Sequence, residues 1–471
     1  MKISFFGGVN EIGGNKILLE DKGTKIFLDF GKSYEEARKF FEEFVQPRAV
    51  HGIKDYLALD LIPKIEGIYR KDLIEILKRE NFDFFDYREP LVDAVLLSHA
   101  HLDHAGYISF LDENIPIFCS NETKKILEVL QIIKPSNLEN EIVEISFPRT
   151  EKDYKKREKL KRNFQTFNFY QPFKIKDLEI LPIPVDHSIL GATMFLIKGS
   201  KNVLYSGDFR LSELSEKEKE RIFEILKREK IDIFLCEGTR ILEKEILSEK
   251  IIYEQAKEKL QNVKGLIVAD YSMTDTTRFQ TLLALSKALK RKMALPFNYF
   301  GFLFLLKEKG INFKENFDNV VLYAKEKASF QKWEKELIQK YPFVKSEQIR
   351  ENKKDYFVIL NFHQIQELID FAPDKDCYFL RASTEPHEEE AEISEERFLN
   401  WILHFQMQGL SENGKFERAH ISGHISGKEL GEFIEKIKPE IIIPIHTEHP
   451  EEFKNFPSEV LLVKKGETLS F

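Results

Sequence analysis

The chain has 471 residues, too many for one ordinary hydrophobic core, so two domains are expected. A hydrophobic fraction of 42% and a charged fraction of 32% belong to a folded globular protein and exclude a disordered or fibrous one. The net charge of −8 excludes nucleic-acid binding by overall basicity, so any phosphate contact has to be local. The start, "MKISFFGGVNEIGGNK", has no sustained apolar stretch, and no run of about 18 apolar residues occurs. Neither export nor a membrane span is indicated, and the cytoplasm is the expected location. Cys119, Cys236 and Cys377 are too far apart and too few for a disulfide framework, and read as buried thiols.

In chain order, "KISFFGG" (2–8), "NKILLED" (15–21) and "TKIFLDFG" (24–31) predict an antiparallel meander. Residues 35–88 form a mixed, partly helical insertion, in which Tyr69 is a candidate for stacking a base. A strand at 91–98 runs into "SHAHLDHAG". A strand at 115–120 and a capped helix at 121–133 follow. The basic tract "KDYKKREKLKRN" (152–163) reads as a solvated helix face. Strands at 178–188, 201–209 and 231–239 each deliver a polar group at the end.

From about 240 the rhythm becomes alternating helix and strand, the pattern of a separate parallel α/β unit, ending near 384. Then come a helix (388–408), a strand (417–422), a helix (427–437) and strands at 440–446 and 459–463. The expected division is 1–239 and 385–471 as two parts of one domain, with 240–384 inserted between them.

His99 and His101 stand two apart after a strand, so their side chains share a face and can point at one ion. Asp103 and His104 follow where the chain turns toward a helix and can face a second ion. Nitrogen plus carboxylate ligation suits zinc, with manganese or iron as alternatives. His187 in "PVDHS", Asp208 in "YSGDFR" and His446 in "IPIHTE" lie at later strand ends. Singly, each reads as a core histidine or a turn aspartate; together and in this order they read as further ligands.

These motifs, with Asp29 in "FLDFG", resemble the metallo-β-lactamase superfamily of metal-dependent hydrolases. Glu237 in "LCEGTR", His424 in "SGHIS", His446 and the α/β insertion resemble its β-CASP nuclease branch. "GGVNEIGGN", "HISGHIS" and "PIHTEHPEEF" are most similar to the ribonuclease J group. The resemblance implies an α/β fold: an αββα sandwich with an inserted parallel α/β β-CASP domain. It implies two zinc ions, with manganese as the alternative. His99, His101 and His187 would hold one, Asp103, His104 and His446 the other, and Asp208 would bridge them.

Catalysis would fall to Asp103, Asp208, His424 and Glu237, with Glu237 bonded behind His424. Asp29 and Asn15 would support the ligands. Ser422, His424 and Ser426 would seat a phosphate. Apart from the resemblance, "YSMTDTTR" (271–278) is a strand-to-helix turn that reads either as ordinary capping by Thr274 and Asp275 or as a contact to backbone phosphates through Ser272, Thr274 and Arg278. The implied activity is hydrolysis of single-stranded RNA, in the 5′-to-3′ direction. The alternatives are an endonuclease like the one that cleaves mRNA 3′ ends, and a small-molecule hydrolase. A homodimer is compatible with the resemblance. Members of the group usually continue into a further C-terminal domain, and many carry a histidine just after the Thr that matches Thr239.

Overall fold

The computed structural model describes residues 1–42, 44–384 and 389–471, so His387 and the expected helix start at 388 lie outside the described residues. The chain forms two compact units, Met1–Ile246 with Gly423–Phe471, and Leu247–Ser422.

In the first unit two seven-stranded sheets share a core. The first runs Thr468–Ser470, Lys2–Gly7, Lys16–Asp21, Thr24–Leu28, Ala94–Leu96, Ile117–Cys119, Phe164–Thr166. Its pairs are antiparallel as far as Thr24–Leu28, as the meander predicts, and parallel after it. The second runs Glu459–Val460, Ile441–Ile445, Ile233–Glu237, Asn202–Tyr205, Thr193–Lys198, Leu178–Pro184, Phe173–Ile175. Alternation along the strands decides the layers. Ile17, Leu19, Ile26, Leu28 and Leu96 of the first sheet meet Ile180, Phe195, Ile197, Val203, Ile233, Leu235 and Ile443 of the second.

The second sheet's other face, with Met194, Leu196, Leu204, Phe234 and Ile442, packs on two helices. Glu216–Arg228 contributes Ile222 and Leu226, and Gly427–Ile437 contributes Leu430, Phe433 and Ile434. Helix Asn121–Ile133, capped by Ser120, buries Ile126, Val129 and Leu130. The architecture is the αββα sandwich.

The second unit is built on a six-stranded, all-parallel sheet: Phe343–Val344, Val320–Tyr323, Lys292–Pro296, Tyr356–Ile359, Ile267–Asp270, Tyr378–Arg381. Its strands read as continuous apolar runs because helices cover both faces of a parallel sheet. It extends to Ser422 rather than stopping at 384. The reason is packing: helix Glu389–His404 and the residue run after it put Phe398, Ile402 and Met407 into the core with Leu266, Val358 and Phe379.

Residues 417–422 form no strand; Arg418 makes a single bridge to Arg381. The basic tract forms no helix either. It is a short turn, Tyr154–Lys156, and a strand, Glu158–Lys161, paired with Glu144–Phe147. Arg162 beyond it is buried and donates to the carbonyls of Leu111, Asp112 and Ile142. All three cysteines are buried and unbridged. Among the described residues no helix is long and apolar enough to cross a membrane.

Candidate metal centre

Strand ends of the first unit supply most of the centre. Ala94–Leu96 leads through Ser98 to His99 and an extended His101, which starts the single helical turn Leu102–Ala105 bearing Asp103 and His104. His187 follows Leu178–Pro184, Asp208 follows Asn202–Tyr205, Glu237 ends Ile233–Glu237, and His446 follows Ile441–Ile445. Asp29 and His446 both leave their strands with left-handed backbone, φ 56° and 52°. Such residues concentrate at functional sites, where the surroundings hold the strain. Gly31 is required beside them, because a Cβ there would lie 1.7 Å from the Asp103 carbonyl oxygen.

Two groups of donor atoms converge. In the first, His101 Nδ1 is 3.0 Å from His99 Nε2 and 3.1 Å from His187 Nε2. Asp208 Oδ2 is 3.6 Å from His99 Nε2 and 3.8 Å from His187 Nε2. In the second, His104 Nε2 is 3.1 Å from Asp208 Oδ2 and 3.6 Å from Asp103 Oδ2. His446 Nε2 is 3.3 Å from Asp103 Oδ2 and 3.5 Å from Asp208 Oδ2. Ligands at zinc–nitrogen distances in a tetrahedron stand about 3.3 Å apart, so both groups fit a small cation. Two buried atoms inside the cluster, His104 Nε2 and Asp208 Oδ1, have no hydrogen-bond partner. A cation would satisfy both.

The outer ring nitrogens fix the tautomers. His187 Nδ1 donates to the Gly423 carbonyl at 2.7 Å. His104 Nδ1 donates to Asp29 Oδ2 at 2.6 Å. Thr239 Oγ1 gives its proton to the His446 carbonyl, so His446 Nδ1 donates to Thr239 at 2.9 Å. Ser98 Oγ gives its proton to Asp29, so His99 Nδ1 donates to Ser98 at 3.0 Å. All four rings therefore turn an Nε2 lone pair inward. Asp29 is the hub of this support: it accepts Ser98 N, Ser98 Oγ, His104 Nδ1 and the Tyr205 hydroxyl. Asn15 donates to Tyr205 at 3.0 Å, and its backbone N–H holds the Asp103 carbonyl at 3.1 Å.

Electrostatics agrees. Burial pushes His99 and His187 far down and His101 to about 4, so these rings are neutral ligands near pH 7. Burial opposes ionisation of Asp208 and Asp103, yet the imidazoles of His104 and His446 hold both well below the usual carboxylate range. Burial also works against a charge on His104, and the carboxylates of Asp208, Asp103 and Asp29 outweigh it. In this field a proton settles where a cation would otherwise sit.

His424 and Glu237 form a different kind of pair. His424 Nδ1 lies 3.0 Å from Glu237 Oε2. Glu237 also accepts Phe209 N at 2.9 Å and Thr239 N at 3.3 Å, so its oxygens are committed to N–H donors. Burial disfavours charge on His424, but Glu237 and then Asp208 push it up to about 9. Glu237 and His424 also form a third group of close donor atoms with His446, and with its imidazole charged the pair holds a proton.

Other expectations change. Ser426 is buried and its hydroxyl accepts Glu429 N as a helix cap, so it is not presented to a phosphate. Ser422 is half-buried and is the last residue of the second unit. Arg278 is fully buried, pairs with Glu249 at 3.1 Å and donates to the Ala419 carbonyl, which removes it as a surface phosphate contact. Asp275 caps the helix that follows it. Tyr69 is 2% exposed with its hydroxyl on the Pro63 carbonyl, and cannot stack a base. Sequence reasoning missed Ser98, Tyr205 and Thr239. Ser98 and Thr239 stand beside His99 and Glu237 in the quoted motifs, and Tyr205 reads as ordinary strand filling.

Residues 85–269 match the β-lactamase superfamily domain, and residues 413–454 match the Zn-dependent metallo-hydrolase RNA specificity domain. Ribonuclease J of Pyrococcus abyssi is 22% identical over 477 residues, covering 95% of this chain and 90% of that protein. Ribonuclease J of Mycoplasma pneumoniae is 23% identical over 305 residues, 62% of this chain but only 43% of that protein. Endoribonuclease ysh1 of Aspergillus fumigatus is 29% identical over 243 residues, 50% of this chain and 22% of its own. A solved structure of a protein of unknown function from Enterococcus faecalis has the same fold, with TM-score 0.73, 23% identity and 99% of both chains covered.

Proposed function

Because the chain belongs to the metallo-β-lactamase superfamily, on its β-CASP, ribonuclease J-like branch, we propose that it is a metal-dependent ribonuclease. It hydrolyses phosphodiester bonds of single-stranded RNA, and as a 5′-to-3′ exonuclease. The observation that carries the reading is the double ligand cluster around Asp208, with His424 held beside it by Glu237. His99, His101 and His187 would hold one ion, and Asp103, His104 and His446 the other, with Asp208 shared. Two bound cations supply Lewis acidity toward phosphate oxygens and a nucleophile at neutral pH.

The chain's own residues do the rest. Asp29, Ser98, Tyr205 and Thr239 hold the ligand rings in one tautomer. His424, kept protonated by Glu237, stands ready to give its proton to the departing 3′-oxygen. Zinc is the proposed metal, two per chain, with manganese as the alternative. The unbridged cysteines suit a cytoplasmic enzyme. A homodimer is the proposed assembly, read by sedimentation.

The test is an end-labelled single-stranded RNA incubated with zinc and with manganese. Mononucleotide release, faster from a 5′-monophosphate than from a 5′-hydroxyl, is expected. Discrete internal fragments would overturn the exonuclease mode, and intact RNA with both metals would overturn the ribonuclease.

A further inference from the structure

Close to the ligand-bearing turn, in the first unit, a partly exposed aromatic ring stands beside a lysine. The segment before it is tied to the ligand turn: Phe30 N bonds the His104 carbonyl and Lys32 N bonds the Leu102 carbonyl, both at 2.9 Å. Ser33 then donates to the buried Glu11 and caps the next residues through Glu36 N. The backbone that presents Tyr34 is therefore fixed to the same turn that presents Asp103. Yet the Tyr34 side chain is 46% exposed, where Tyr69, Tyr107 and Tyr205 are buried.

Lys32 Nζ stands 5.8 Å from the centre of the Tyr34 ring and 2.8 Å from Glu139 Oε2. Tyr56 holds the other Glu139 oxygen at 2.6 Å. Burial, with the carboxylates of Asp103 and Glu139, raises the pKa of the Tyr34 hydroxyl, so the phenol stays neutral. An exposed ring with an adjacent cation is one way sequence-tolerant single strands are held: a base on the ring, its phosphate on the lysine. A core tyrosine would be covered, and a solubilising surface residue would have no need of so rigid a mount.

We propose that Tyr34 is a base-stacking platform for the single-stranded substrate, with Lys32 receiving the neighbouring phosphate. This inference rests on the ribonuclease reading for its substrate, but its test is separate. Binding of the full chain to an uncleavable 2′-O-methyl 12-mer is read by fluorescence anisotropy, and cleavage is read on the RNA version.

Tyr34→Leu is expected to weaken binding roughly 5- to 150-fold, and Tyr34→Trp to restore it. A single abasic site walked along the 12-mer is expected to cost the wild type that factor at one position and to cost Tyr34→Leu nothing further there. The walk in wild-type protein needs no variant to fold. Equal binding by Tyr34→Leu, or equal abasic losses in both proteins, overturns the platform. A wild type that binds and responds to the walk without cleaving supports the platform and overturns the ribonuclease reading. One that does not bind overturns both.

Discussion

The Tyr205 hydroxyl donates to Asp29 Oδ2 at 2.5 Å, and so ties one sheet of the sandwich to the other directly behind His104. Tyr205 comes from the end of Asn202–Tyr205 in the second sheet, and Asp29 follows Thr24–Leu28 in the first. A metal-ligand imidazole is oriented by the group on its outer nitrogen, and loss of such support typically costs 10- to 100-fold in metal affinity. Tyr205→Phe keeps the ring that fills the core and removes only the hydroxyl. The variant should fold with unchanged circular dichroism and, if metal is bound as proposed, release an ion held by His104 about 10- to 100-fold more readily to a competing chelator. Unchanged chelator competition would show that Asp29 holds His104 without help.

Asp208 Oδ2 lies within 4 Å of five imidazoles, at 3.6 Å from His99, 3.1 Å from His104, 3.8 Å from His187, 3.5 Å from His446 and 3.9 Å from His424. Among the described residues, no other side chain belongs to both donor groups. Asp208→Ala should therefore weaken both ions and lower RNA cleavage by about 10³-fold or more, the effect of losing several kcal/mol of charge stabilisation. His187→Ala and Asp103→Ala should each release one ion only. Metal counted per chain after dialysis distinguishes these outcomes; two ions retained by Asp208→Ala would show that neither proposed ion depends on Asp208.

The residues of the candidate metal centre were legible in the sequence because they cluster in one motif or close apolar strands, a pattern local enough to read, and the fold brings them together. His424 and Glu237 were named only by resemblance, and the 3.0 Å contact between residues so far apart in sequence supplies the physical reason. Tyr205 was not legible, since a tyrosine in an apolar strand looks the same whether its hydroxyl meets water or a buried carboxylate. Ser426 and Arg278 misled for a related reason. A serine before a helix and an arginine after a turn suit phosphate, but here the backbone and a buried glutamate take them first. Helix Glu389–His404 was seen, but its Phe398 and Ile402 gave no hint of which core they join, so the domain boundary fell short.

The His424–Glu237 pair predicts a pH profile. Proton donation needs His424 charged, so this contribution is constant below its pKa and is lost as pH rises through it. Glu237 helps raise that pKa to about 9 in the absence of metal; bound cations, which repel the proton, bring it lower. Glu237→Gln removes the anion and should move the alkaline limb of kcat to lower pH. His424→Ala should cost roughly 10²- to 10⁴-fold on RNA, the range for general acid help. Its penalty should shrink on a substrate whose leaving group is p-nitrophenolate, which departs without a proton. An equal penalty on both substrates would make His424 a binding group instead.

Lys16 offers a stability test at a residue that is not itself a candidate ligand. Its ammonium is buried, donating to the carbonyls of Gly14 at 2.7 Å and Gly31 at 3.0 Å. Burial pushes it down to about 8 from an ordinary 10.5, against the pull of Glu11. Because the folded pKa lies below the unfolded one, the unfolded chain binds the extra proton between those values, and stability from this group rises with pH across that window. The rise amounts to about 3 kcal/mol. Lys16→Met keeps the length of the side chain and removes the titration. Urea unfolding of metal-free wild type and variant at pH 7.5 and 10.5 should therefore show the wild type gaining about 3 kcal/mol relative to Lys16→Met at the higher pH. A difference that stays constant, or shrinks, would mean that Gly14, Gly31 and Glu11 keep the ammonium charged throughout, as an exposed lysine would be.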